Sequence, residues 1–89
     1  MQLFEDDDNG YVAWLAANPD GFVLNTERNP TRSYLKLHRA SCRTITQLQR
    51  DATTWTTGVY VKRCGTRAEL EGAALGFGGP PTPCVFCLP

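Results

Sequence analysis

The sequence predicts an α+β fold in one small domain: an N-terminal helix, a three-stranded antiparallel sheet, a C-terminal helix and a closing Cys-x-x-Cys knuckle. Three observations predict it. Two segments repeat apolar residues at helical spacing, three short segments alternate β-branched or aromatic residues with polar ones, and clusters of Gly, Pro and Asn separate them. At 89 residues, 42% hydrophobic and 20% charged, the chain has room for a single core and the composition of a folded one.

The elements follow in order. Asp8 or Asn9 caps a first helix, the carboxylates around it sit where a helix start is electropositive, and Tyr11, Val12, Trp14 and Leu15 share its apolar face. Asn18-Pro19-Asp20-Gly21 ends it. Gly21 to Asn25 reads as a strand, and Thr26 to Thr31, with Asn29-Pro30, as the loop of a hairpin. In the next strand, Ser33 to Arg39, Leu35 and Leu37 point one way and Tyr34, Lys36 and His38 the other. Thr53 to Gly58 is an irregular tip before a third strand, Val59 to Cys64, in which Val59 and Val61 oppose Tyr60 and Lys62. Thr66 with Glu69 three residues on is a capping box for the second helix, packed through Leu70, Ala73 and Ala74. Gly76, Gly78, Gly79 and Pro80-Pro81 stop it, and Pro83 to Pro89 is a tight turn with two thiols.

The longest apolar run, Tyr11 to Ala17, falls well short of the roughly 20 residues that span a bilayer, so no membrane is expected as partner. The start, Met1 to Asp8, is acidic where a signal peptide is basic; an intracellular, cytoplasmic protein is expected. Formal net charge is zero, yet it is divided into blocks. Glu5, Asp6, Asp7, Asp8, Asp20 and Glu27 precede residue 32 with Arg28 alone against them. Arg32, Lys36, Arg39, Arg43, Arg50, Lys62 and Arg63 then face only Asp51. A basic middle suits an anionic partner, or pairs internally with the acidic start.

A chain this short gains only about 3–5 kcal/mol from its core, and domains of this size often add a metal or disulfides. Four cysteines, Cys42, Cys64, Cys84 and Cys87, and one histidine, His38, supply the means. In an intracellular chain such a set points to metal rather than disulfides. Cys84-x-x-Cys87 offers two thiolates to adjacent corners of a tetrahedron, and His38-x-x-x-Cys42 offers an imidazole and a thiolate from a strand end, giving a structural Cys₃His zinc site. Cys64 is the competing ligand, in a Cys₄ site without His38. Because Cys64 stands alone, the preferred set is His38, Cys42, Cys84 and Cys87, with Cys64 a small buried hydrophobe.

Leu37-His38-Arg39-Ala40-Ser41-Cys42, a strand ending Tyr60-Val61-Lys62, a helix with Glu69-Leu70, and Pro83-Cys84-Val85-Phe86-Cys87-Leu88-Pro89 together resemble the Ada-type metal-binding domain. The resemblance covers residues 21–89 and leaves the helix of residues 1–20 outside. It implies a zinc-bound α+β module of the kind found in DNA-repair proteins and beside nuclease domains, with a nuclease or repair enzyme as possible partner domain. In repair members all four ligands are cysteines and one accepts a methyl group from a DNA phosphotriester. Here the first ligand position is His38, which offers no thiolate for that transfer.

Tyr34, Lys36, Tyr60 and Lys62 on the polar strand faces, with Arg39, Arg43 and Arg63 nearby, combine aromatics and cations as nucleic-acid-binding surfaces do. Trp55 is either a wedge for a distorted duplex or a core residue folded back. No nucleophile, base and orienting group recur together, so the expectation is a non-catalytic DNA-binding module with no small-molecule substrate. A protein-binding adaptor is the alternative. Redox chemistry at the Cys-x-x-Cys is the weakest reading, since the βαβ surroundings of such sites are absent from the sequence pattern.

Overall fold

A computed structural model describes residues 1–48 and 52–89. Its elements are β1 (Gln2–Phe4), α1 (Asp8–Ala17), β2 (Phe22–Glu27), β3 (Leu35–Arg39), α2 (Arg43–Thr46), β4 (Tyr60–Gly65), α3 (Arg67–Phe77) and β5 (Thr82–Pro83). Arg50 and Asp51, part of the basic middle, lie outside the described residues.

The sheet is five-stranded and mixed, ordered β1-β4-β2-β3-β5, instead of three-stranded and antiparallel. The three central strands are those the alternation predicts. The edges escaped it because β1 is only three residues long and β5 contains Pro83, which reads as a strand breaker yet fits an edge. β5 runs parallel to β3, opposite Lys36 and Leu37. The boundaries also move. β2 continues through Thr26 and Glu27, expected in the loop, because both pair with Val61 and Tyr60 of β4. β3 starts at Leu35 rather than Ser33, and β4 at Tyr60, leaving Val59 exposed and not beside Val61.

Strand alternation divides the interior in two. On one face Phe4, Val23 and Cys64 pack with Tyr11 of α1, Ile45 of α2, Ala40, Cys42 and Cys84. On the other, Leu24, Leu35 and Leu37 pack with Leu70 and Ala74 of α3 and with Leu88. Only Tyr11 of the predicted apolar face of α1 is fully buried; Trp14 and Leu15 are half-buried and Val12 faces outward. The helix is capped one residue earlier than expected, by Asp7, whose carboxylate accepts from Gly10 N at 2.9 Å. The Thr66/Glu69 capping box forms as predicted, and Gly78, at φ 134°, ends α3 in a conformation that other residues rarely adopt. No helix among the described residues is long and apolar enough to cross a membrane.

Candidate metal centre and the face beside it

β3 and β5 lie parallel, and both deliver ligands at the same end of the sheet. His38, next to last in β3, points to the α1/α2 side between Leu37 and Arg39, which point away. The chain turns through Cys42 N–H donating to Arg39 O at 3.0 Å, and Cys42 starts α2. Across from it, Cys84 N–H donates to Leu37 O at 2.8 Å, and Leu88 N–H closes the following turn on Cys84 O at 2.8 Å. Arg39 N–H in turn donates to Cys87 Sγ at 3.3 Å, locking that turn against the strand.

The ligand atoms of His38, Cys42, Cys84 and Cys87 all lie within 4.8 Å of one another, and none of the thiols is in a disulfide. Tetrahedral coordination with Zn–S bonds of about 2.3 Å separates two sulfurs by ~3.8 Å. Cys42 Sγ and Cys84 Sγ are 4.0 Å apart. His38 Nε2 is buried with no hydrogen-bond partner, which is costly unless a cation takes the lone pair. Its Nδ1 lies 3.2 Å from Thr44 Oγ1, the outer contact that orients a metal-binding imidazole. The donor set thus fits a metal ion.

Electrostatics agree with that role. Burial, then Lys36 and Lys62, press the His38 pKa down to about 4, so the ring is neutral and able to ligate at pH 7. Burial works against the Cys84 thiolate, but N–H groups of Phe86 and Cys87 and the Cys87 and Cys42 thiols outweigh it and lower its pKa. Burial pushes Cys87 up to about 11, a cost that a cation offsets by binding the thiolate directly. Cys64 is elsewhere. Val23 stands between Cys64 and His38 in register, two strand spacings of about 4.8 Å, and burial pushes its thiol up to about 12.

The predicted basic face is partly redrawn. Lys36 is half-buried, Arg39 and Arg43 are exposed, and the Tyr34 and Tyr60 rings meet at 4.9 Å on the same side as the metal centre. Lys62 and Arg63, expected on that exposed face, are only 5% and 9% exposed. As neighbours in a strand they also point to opposite sides. Lys62 Nζ donates to Asn25 Oδ1 at 2.9 Å and Trp55 O at 2.8 Å, and burial lowers its pKa to about 8. Arg63 lies over the Phe77 ring at 4.7 Å on the α3 side. Sequence alternation identifies which way a strand residue points but not whether a loop covers it.

Trp55 folds back, half-buried, with its ring 6.3 Å from that of Tyr11. Asp8 holds it there: the carboxylate accepts from Thr56 N and Oγ1 at 2.8 and 2.6 Å, from Trp55 N at 3.2 Å, and from Thr54 Oγ1. The acidic start is therefore spent locally. Asp7 caps, Asp8 clamps the loop, and Glu5 and Asp6 pair with Arg28. Val85 and Phe86, absent from the predicted surface, are 70% and 73% exposed on the tip of the knuckle. Their place between two ligands in a tight turn is the signal that could have found them. No family model, no curated protein and no solved structure matches this chain.

Proposed function

We propose that this chain is a zinc-stabilised, non-catalytic DNA-binding module. Zinc follows from the donor chemistry: three thiols and an imidazole are the set of structural zinc sites, and a filled Cys₃His shell leaves no open position for a catalytic water. The observation that carries the DNA reading is the uncompensated charge beside that centre. Among the described residues, every ion pair lies elsewhere, and none includes Lys36, Arg39 or Arg43. Lys36 and Arg43 accompany the Tyr34–Tyr60 pair and the exposed Phe86, giving phosphates and bases each a complementary group, while Arg39 lies on the opposite face over the Phe22 ring. The Ada-type resemblance supports the same context, with a nuclease or repair domain as the enzyme served.

Salt titration of DNA affinity tests this. We expect affinity to fall steeply with salt, and Lys36→Glu with Arg43→Glu to weaken it while leaving the thermal transition in place. Unchanged binding in that double variant would remove this face as the DNA site. Val85 and Phe86 favour a second reading, a protein-binding adaptor, which predicts a partner whose affinity depends on Phe86 and hardly on salt.

A further inference from the structure

One hydroxyl stands between two of the four ligands. Thr44 Oγ1 lies 3.0 Å from Cys42 Sγ and 3.2 Å from His38 Nδ1. Its place is fixed from behind. α2 starts at Cys42, Ile45 N–H donates to Cys42 O at 3.1 Å, and the buried Tyr11 of α1 donates its hydroxyl to Ile45 O at 2.6 Å. α1 thereby sets the depth at which the Thr44 hydroxyl meets the ligands.

The two contacts have one consistent direction when the site holds a cation. Nε2 of His38 is buried with no hydrogen-bond partner among the described residues, so a hydrogen there would be a buried donor without an acceptor. The neutral ring carries its hydrogen on Nδ1 instead and leaves the Nε2 lone pair to the metal. Thr44 Oγ1 then accepts from Nδ1–H. The hydroxyl keeps a hydrogen of its own, and the Cys42 sulfur, ligating as a thiolate, is an acceptor. The other sulfurs are served differently. Cys84 Sγ accepts from Phe86 and Cys87 N–H, and Cys87 Sγ from Arg39 N–H, all main-chain donors that a side-chain substitution leaves in place. Cys42, at the start of α2, makes no side-chain hydrogen bond to the backbone of that helix.

From this geometry we infer that Thr44 is a positioning residue of the metal centre: its hydroxyl selects Nε2 of His38 as the ligating nitrogen and, through the same oxygen, hydrogen-bonds the Cys42 thiolate. The inference rests on the zinc reading above and refines that same site; it does not depend on the DNA reading. Outer partners of this kind orient a ligand and tune the metal, and losing one costs about 10- to 100-fold in metal affinity. A hydrogen bond to a thiolate also draws charge off the sulfur, which lowers the energy of its electrons.

The test compares the full chain with its Thr44→Val and Thr44→Ser variants. Valine keeps the branched shape without the hydroxyl, and serine keeps the hydroxyl. Zinc affinity, read by competition with a chromophoric chelator, should fall about 10- to 100-fold in Thr44→Val and stay close to the parent in Thr44→Ser. In cobalt-loaded protein the sulfur-to-metal charge-transfer band should move to lower energy in Thr44→Val, a signature that lost packing alone does not produce. His38 is the sole histidine, so a long-range proton–nitrogen correlation spectrum of the zinc-loaded parent reads a single ring. It should show the hydrogen on Nδ1 and the metal on Nε2. Metal on Nδ1, or a Thr44→Val variant with the affinity and band of the parent, would overturn the role of Thr44 and leave the zinc site standing. A Thr44→Ser variant as weak as Thr44→Val would show that the hydroxyl is not what acts, and overturn it equally. A parent that binds neither metal would overturn the zinc reading and this inference together.

Discussion

An imidazole with one nitrogen tied and the other buried and bare is prepared for a cation, and His38 has that form. Native mass spectrometry of single variants should therefore show one zinc lost in His38→Ala and retained in Cys64→Ser, whose sulfur stands two strands away. Metal lost from Cys64→Ser would put the ligand assignment in error. The same histidine gives a pH dependence with a defined sign. Its folded pKa of about 4 lies below the ordinary 6.5, so from pH 6.5 down to 4 the unfolded chain takes up a proton that the folded chain refuses. Stability falls across that window. Metal release by ligand protonation acts in the same direction. Denaturant titrations between pH 7 and pH 4 check it, and a midpoint that does not fall would refute it. The convergence of His38, Cys42, Cys84 and Cys87 was readable because metal-ligand spacing is so constrained. The fates of Lys62 and Arg63 were not, because a residue's burial depends on what a distant loop and helix lay over it.

Elements were legible where a local signal sufficed. The capping box of α3, the turn after α1 and the alternation of β2, β3 and β4 are local, and they appear in the structure with shifted ends. β1, β5 and α2 have three, two and four residues, too short for any period to declare itself, and they form only because the neighbouring strand or turn is already in place. The Thr-rich loop belongs to this second kind. Its conformation is held by Asp8, more than forty positions away in sequence, which accepts from two hydroxyls and two backbone N–H groups. We expect Asp8→Ala to cost about 2–3 kcal/mol, because the Trp55 and Thr56 N–H groups lose a charged acceptor. Trp55 emission should move to the red in a Trp14→Phe background. Emission and stability equal to the parent would show that the loop holds its place without the clamp.

At the scale of the molecule, the metal centre touches both halves of the interior. Cys42 and Cys84 belong to the cluster under α1, while Cys87 packs against that cluster and the one under α3. Structural zinc contributes roughly 10–16 kcal/mol in small metal-dependent folds, more than the about 3–5 kcal/mol expected of a core this size. Chelation should therefore abolish the cooperative thermal transition, and added zinc should restore it. A metal-free protein with unchanged Tm would deny the metal a structural role. The charge blocks read from the sequence also acquire a location here. Glu5, Asp6, Asp7 and Asp8 are engaged in a cap, a clamp and the Arg28 pair, and among the described residues no ion pair includes Lys36 or Arg43 beside the metal centre.

The parallel pairing of β3 with β5 also has a meaning for a chain still on the ribosome. His38 and Cys42 emerge as half a coordination shell, and the sulfur that Cys42 meets first belongs to a residue 42 positions later. Translation halted before Pro83 leaves that half-shell open and the Leu37 carbonyl without the Cys84 N–H that covers it. Such a product presents an unpaired strand edge. A complete donor set thus requires the chain through Cys87.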